Sequence, residues 1–293
     1  MIITKLIGGV GNQMFQYAAG LVLSIKNDTS LKMDINFLLD KSPRYYRHTQ
    51  RDYGMDMFRI SGKIAIKEEI SKFTLPRTGN KYLFHFKKRF TKEYHVFAEA
   101  SLLKLNDFFE IPGNAYLDGY WQKYAFFSDY AEVVNNEYQF SNPISNDSIP
   151  IINQIKESNS VCVIFRRGDF VDHPELDILD LEYYYQSITI VRNNFPDAKF
   201  FIFSDDITWC KKYFITTQLN VVFVEECHTG KNGENYLQLI ASCNHFIIPN
   251  SSFAWWGAWL GNSPNKLVIA PKKWYRSQSL KENPILPPEW ISL

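Results

Sequence analysis

Two adjacent arginines, Arg166 and Arg167, stand in the segment IFRRGDF, with Asp169 two positions further on. A guanidinium keeps its charge at any workable pH, and its planar fork matches paired phosphate oxygens. Side by side at the end of an apolar run, the two cannot both face a core. They suit a diphosphate on which charge grows as a bond to it breaks. The bland alternative is a surface Arg–Asp ion pair, common and of little energetic weight. Asp169 either fixes the orientation of an arginine or takes a proton close to the same phosphates. His173 and Glu175, in VDHPELD, are further acid–base candidates, although a loop histidine is more often a bystander.

Three other clusters carry polar groups of a suitable kind. FSDD supplies Ser204, Asp205 and Asp206. Carboxylates accept well from ribose hydroxyls and ring N–H groups, and Asp equally suits the N-cap of the helix predicted from Ile207. NSSF places Asn250, Ser251, Ser252 and Phe253 ahead of an apolar helix, where hydroxyls and open N–H groups suit a pyrophosphate. Its plain alternative is a serine N-cap. Burial is the expectation for Trp255, Trp256 and Trp259, and an anion seat for the serines. Near the start, LIGGVGNQMFQYAAG joins an apolar strand to an apolar helix through Gly9 and Gly11. It lacks the Lys-Ser/Thr pair of a P-loop, and Met14 stands where a dinucleotide fingerprint needs its third glycine. What remains is a row of N–H groups at a helix start, with Asn12 and Gln13 offering neutral donors and acceptors to sugar hydroxyls. A turn serving only tight packing is the alternative. Asp34, at the end of the next strand, lies near the spacing of a ribose-binding acid and keeps a nicotinamide enzyme in play.

The elements that must position these residues show best in the second half. There SVCVIF, KFFIFS, VVFVEE, HFIIP and KLVIA alternate with LEYYYQSITIVRNNF, ITWCKKYF, ENYLQLIASC and SFAWWGAWLG. Unalternated apolar runs of this length fit strands buried on both faces, and their interleaving with helices predicts a parallel sheet. RRGDF, SDD and PNSS then fall at carboxyl ends of strands, where open α/β sheets bind ligands. The first half is less regular. A strand, the glycine loop, a helix and a second strand LKMDI lead into a mixed stretch from about Asn36 to Asn114. AYLDGYWQ then reads as a returning strand, followed by a helix through FFSDYAEVV. SNPISNDSIP, polar with prolines near both ends, divides the chain into residues 1–145 and 146–293.

Composition narrows the class. Hydrophobic residues are 45%, charged residues 22% and the formal net charge +1, which describes a soluble globular protein with no global field for nucleic acid. No apolar run is long enough to span a bilayer and no signal peptide is recognisable, so a cytoplasmic protein is expected. Cys162, Cys210, Cys227 and Cys243 are far apart with no CxxC pair; three lie within or at the end of apolar segments and are expected as reduced core thiols. No metal-ligand cluster stands out. The basic aromatic stretch from Lys81 to Phe97 is expected as a solvated face, with contact to an anionic surface or a lipid-linked acceptor at the membrane periphery as the alternative.

GGVGNQMFQYA, RRGDF, FFIFSDDITWC and NSSFAWWGAWL, in this order over most of the chain, resemble the α-1,2-fucosyltransferases of glycosyltransferase family 11. RDYGMDMF and DGYWQ are similar to that family too. The resemblance implies an α/β, GT-B-like fold: two Rossmann-like domains facing across a cleft, the first on the acceptor side and the second binding the donor. The C-terminal tail is expected to pack back on the first. It implies GDP-fucose as donor substrate with no cofactor or metal, a galactose-terminated glycan as acceptor, and inverting transfer of L-fucose to the 2-hydroxyl. Carried over by position, Arg166 and Arg167 hold the GDP phosphates, helped by Ser251, Ser252 and the loop from Asn250 to Phe253. Ser204, Asp205 and Asp206 join the donor side, as do Gly9 and Gly11. Asn12 stands near the transferred sugar and, with the arginines and Asp169, forms the catalytic set. Gln13, Tyr120, Trp121, Gln122 and His173 lie toward the acceptor.

One departure is plain. The family's usual histidine two residues before the first arginine is replaced by Ile164. That removes a polar contact and implies weakened donor binding, a subgroup with its own solution, or lost activity. Two rivals follow: an NAD(P)-linked oxidoreductase on the opening loop, and a catalytically silent sugar-nucleotide or glycan-binding protein. The membrane anchor of the family's eukaryotic counterparts is missing, which fits a bacterial surface polysaccharide or oligosaccharide.

Overall fold

The computed structural model describes residues 1–42, 51–73, 95–278 and 284–293. The chain divides into two compact units, Met1–Ser141 and Asn142–Leu293. The division falls at the start of the proline-flanked segment, four residues before the expected boundary. Asn142 and Ser145 are already hydrogen-bonded to Glu234 and Asn235, so they belong with the second unit.

The first unit holds a parallel sheet in the order β3-β2-β1-β5-β4. Its strands are β1 (Ile2–Lys5), β2 (Leu31–Asp34), β3 (Lys63–Ile64), β4 (His95–Ala98) and β5 (Ala115–Asp118). Between β1 and β2 runs α1 (Val10–Lys26), buried almost from end to end. Such a helix has no solvent stripe, so every polar group on it needs an internal partner. Lys26 lies in its last turn, and Nδ2 of Asn27 donates to the carbonyl oxygens of Leu23 and Ile111, tying the helix end to the loop before β5.

The second unit has the order β11-β10-β9-β6-β7-β8, also all parallel. Its strands are β6 (Ser160–Phe165), β7 (Lys199–Ser204), β8 (Asn220–Phe223), β9 (His245–Ile247), β10 (Val268–Ala270) and β11 (Ile291–Ser292). The chain winds outward from β6 to β8, returns to β9 on the other side of β6, and winds outward again. Winding therefore reverses between β6 and β9, which opens a crevice at their carboxyl ends. On one face Val161, Val163 and Phe165 pack with Tyr183, Ile188 and Val191 of the helix Leu181–Asn194. Each such side chain, fully buried, contributes about 1.5–3 kcal/mol.

All five strand runs and all four helices expected of the second half are present, while the two-residue strands β3 and β11 carry no pattern of their own. The described end of the C-terminal tail pairs within the second unit: β11 joins β10 at the edge of the second sheet, and Trp290 packs on Trp255. Cys162, Cys210 and Cys243 are buried, Cys227 is exposed, and all four are free. Residues 81–94 of the basic aromatic stretch lie outside the described residues; His95 to Phe97 fall on the edge strand β4. Among the described residues no helix is long and apolar enough to cross a membrane.

Candidate functional site

Strand register decides which aspartate meets which arginine. Phe165 and Ser204 end β6 and β7 as register partners, so Arg166 and Asp205 leave the sheet side by side. Nη1 of Arg166 lies 2.5 Å from Oδ2 of Asp205, and Nη2 lies 2.6 Å from Oδ1 of Asp169. The backbone N–H of Arg167 donates to Oδ1 of Asp205 at 2.8 Å. This closeness needs a glycine next door, since a Cβ on Gly168 would stand 2.6 Å from Oδ2 of Asp205. Asp206 does the other job: its Oδ1 accepts from the Trp209 N–H at 3.0 Å and caps the helix Ile207–Tyr213. Asp169 is thus placed to orient Arg166. Ser204 is buried, its hydroxyl accepting from the Asp206 N–H at 2.9 Å.

The Arg167 side chain is placed differently. Its guanidinium carbon lies over the Trp209 ring, 3.8 Å from the ring centroid. Nε is buried with no hydrogen-bond partner; Oδ2 of Asp206 is 3.6 Å away, beyond hydrogen-bond range. Three carboxylates therefore surround two guanidinium groups; among the described residues Arg166 holds two of them by hydrogen bonds, and Arg167 has only the longer ion pair with Asp206. Cys210, below this cluster, is no rival nucleophile, because burial pushes its thiol up to about 11.

The loop after β9 corrects one expectation. Asn250 is buried, and its Nδ2 donates to the carbonyls of Leu176 and Trp274 at 3.1 and 2.9 Å, so it ties loops together instead of facing a ligand. Ser251 takes the N-cap position of the helix Ser252–Leu260 without a side-chain cap, so a plain serine N-cap is not what is built. Trp255 and Trp256 are buried as expected, whereas Trp259 is only half-buried. The Phe253 ring packs on Gly233, where a Cβ would come within 3.0 Å of it. His173 is exposed, its Nδ1 accepting from the Glu175 N–H. Glu175 accepts from the hydroxyl and N–H of Ser277 at 2.7 and 3.0 Å, which holds its carboxyl below the usual range and makes it a loop clip, not a base.

In the first unit the amides serve the loops. Gln13 is fully buried: Nε2 donates to the carbonyls of Gly8 and Asp52, and Oε1 accepts from the Gly54 N–H at 3.0 Å. The acceptor contact expected of it is replaced by a staple, because a buried carboxamide must satisfy its own donors and acceptors. Gln16 does likewise, accepting from the Ile7 N–H and donating to the Gly119 carbonyl. Asn12 and Gln122 do come together, Nε2 of Gln122 donating to Oδ1 of Asn12 at 2.8 Å. Of the glycines, Gly8 is the one the turn requires: its φ is +76°, and a Cβ would stand 2.5 Å from Nδ2 of Asn12. At Gly9, the N-cap of α1, a Cβ would meet nothing within 4 Å, and Gly11 is buried in the first turn.

Tyr120 is exposed, but Trp121 is not an acceptor platform. Its ring is fully buried against Phe108 and Phe126, and its backbone is left-handed at φ +56°. Oε2 of Glu99 holds that turn by accepting the N–H groups of Tyr120 and Trp121 at 2.8 and 2.7 Å. Asp34, the ribose-acid candidate, is buried and accepts from the Tyr116 hydroxyl and the Asn36 N–H at 2.7 and 2.9 Å. That removes the footing of the nicotinamide alternative.

The sequence model of Glycosyl transferase family 11 matches residues 1–293, the whole chain. The protein belongs to glycosyltransferase family 11. It is 33% identical over 306 residues to an alpha-1,2-colitosyltransferase of Escherichia coli, covering 100% of this chain and 99% of the relative. It is 26% identical over 309 residues to the O-antigen biosynthesis glycosyltransferase WbnK of Escherichia coli, covering 98% and 99%. Among solved structures, POFUT1 in complex with GDP-fucose matches with a TM-score of 0.52 at 13% identity, over 92% of this chain and 97% of that one. The likeness is one of fold, and it assigns this family 11 glycosyltransferase to the GT-B class. Ile164, in place of the family's usual histidine, is buried within β6. Gly8, Gln16, Glu99 and Trp209 went unmarked by the sequence. Only Gln16 left a signal, as a third amide one turn after Asn12 and Gln13 on a largely apolar helix.

Proposed function

We propose that this family 11 glycosyltransferase moves L-fucose from GDP-fucose to the 2-hydroxyl of a terminal galactose on a glycan, with inversion and without a metal ion. The observation that carries this is Arg167, at the carboxyl end of β6, the central strand at which the winding of the second sheet reverses, with its Nε not hydrogen-bonded to any carboxylate among the described residues. Galactose O2 bonds to fucose C1 from the face opposite the leaving group as the bond from C1 to the β-phosphate oxygen breaks. Charge gathers on the departing diphosphate, which leaves as GDP and takes up the 2-hydroxyl proton. Arg167, with the remaining N–H groups of Arg166, meets that charge. Asp169 and Asp205 act on the reaction through Arg166, and Asn12 with Gln122 offers amides to sugar hydroxyls.

A second donor reading has its own support in the 33% identity to an alpha-1,2-colitosyltransferase, namely colitose (fucose without its 3-hydroxyl) on the same nucleotide. The relative named for O-antigen biosynthesis supports a role in building surface polysaccharide. The test is incubation of each GDP-sugar with lactose in the presence of EDTA, reading GDP release and the linkage of the product. Transfer to the galactose 2-hydroxyl is expected with at least one donor. Arg167→Ala should lower it by roughly 10²–10³-fold with the unfolding transition unchanged. No transfer from either donor, loss of transfer in EDTA, or parental turnover in Arg167→Ala would each overturn the corresponding part.

A further inference from the structure

We infer that Trp209 is a positioning residue: its ring face holds the Arg167 guanidinium in the plane in which it meets a nucleoside diphosphate. This rests on the donor site proposed above and goes beyond it. The geometry is built from both sides of the helix start. Trp209 donates its backbone N–H to Oδ1 of Asp206 at 3.0 Å, while Oδ2 of the same carboxylate faces Nε of Arg167 at 3.6 Å. One aspartate thus fixes the helix that carries the ring and stands at the edge of the cation that lies on it. The ring is itself wedged, with Phe165 centred 6.3 Å away and Tyr213 5.4 Å away, and Phe165 is stacked on Tyr184 at 4.0 Å.

Arg166 has two carboxylates hydrogen-bonded to its guanidinium to set its orientation, whereas Arg167, among the described residues, has only the longer 3.6 Å approach of Asp206 to its Nε, which makes no hydrogen bond. A free arginine side chain samples many rotamers, and ordering it upon ligand binding weakens affinity. A guanidinium 3.8 Å above an indole face is attracted by the ring quadrupole without giving up its N–H donors, which a carboxylate would occupy. Stacking therefore orders Arg167 and leaves its fork open. A second carboxylate pair, as at Arg166, would order it and close the fork.

The experiment is a calorimetric GDP titration of the full chain and four variants: Trp209→Leu, Trp209→Phe, Arg167→Lys and the double variant Trp209→Leu/Arg167→Lys. Trp209→Leu is expected to weaken GDP binding roughly tenfold, and Trp209→Phe, which keeps a ring face, no more than about threefold. In the Arg167→Lys background, which has no planar fork to stack, Trp209→Leu should add less than about twofold, the sign of a residue acting through its partner. Parental affinity in Trp209→Leu would overturn the inference. So would a loss in Trp209→Phe as large as in Trp209→Leu, or an undiminished loss in the lysine background. A parent protein that binds no GDP would instead remove the donor-site reading, and this positioning role with it.

Discussion

Replacing Gly168 by alanine disturbs the carboxylates around the arginines without touching a charge. The backbone there is not left-handed, so alanine fits it, and the stiffer unfolded chain favours folding by about 0.4–1 kcal/mol. Against this, the new Cβ would stand 2.6 Å from Oδ2 of Asp205, which must retreat by about 0.8 Å to reach the 3.4 Å of ordinary contact. That oxygen holds Nη1 of Arg166 at 2.5 Å, and the same carboxylate holds the Arg167 N–H at 2.8 Å. A charge-assisted bond is worth about 1.5–3 kcal/mol when fully formed. With both side chains about a quarter exposed, solvent screening reduces this to about 1 kcal/mol. The two contributions nearly offset, and stability should stay within about 1 kcal/mol of the parent. The arginines, however, lose their alignment, and GDP affinity should fall about tenfold, equivalent to about 1.4 kcal/mol. Urea unfolding and calorimetric GDP titration on the same preparations separate the two effects. A variant that binds GDP as tightly as the parent would refute the idea that Asp205 sets the arginine geometry.

Gly8→Ala should behave in the opposite way, losing about 1–2 kcal/mol of stability in urea because φ is +76°, and losing transfer as Asn12 is pushed from Gln122. Lys266→Met should lower stability by about 1–3 kcal/mol, since Nζ donates to the carbonyls of Ala258, Trp259 and Gly261 at the end of the helix Ser252–Leu260. Unchanged urea midpoints would count against either account. His245 gives a pH dependence. Its Nδ1 accepts from the Leu267 N–H, Nε2 pairs with Oδ1 of Asn159, and burial lowers its pKa. The native state therefore resists a proton that the unfolded chain takes up near pH 6.5, so this stability is present above that pH and is lost on acidification, by at most about 1.4 kcal/mol per pH unit. Unfolding curves from pH 7.5 to 5 should fall less steeply for His245→Gln; parallel curves would exclude the effect.

Much of the second unit was legible because parallel strands buried on both faces write themselves as unbroken apolar runs. Once those runs are strands, RRGDF, SDD and PNSS can only stand at their carboxyl ends. The first unit was harder to read. Its β3 has two exposed residues, and β4 lies at an edge, so neither had a buried face to impose a pattern. Within the candidate site the sequence named the residue types correctly but not their directions. Asn12 and Gln13 are neighbours of similar chemistry, yet one meets Gln122 and the other staples the buried backbone of Gly54. Asp205 and Asp206 divide the same way, one to the arginines and one to a helix start.

The sequence by itself determined the α/β class, the ligand-binding ends of the strands and the arginine pair, since each depends on local pattern and residue chemistry. Tertiary structure alone decided that Asp34 answers to Tyr116, 82 residues away, that Asn250 joins the loops after β6 and β10, and that Arg167 lies on Trp209. Strand order and register settle which distant groups share a volume too small for water, and inside it nearly every donor takes the acceptor nearest to hand, the Arg167 Nε being an exception.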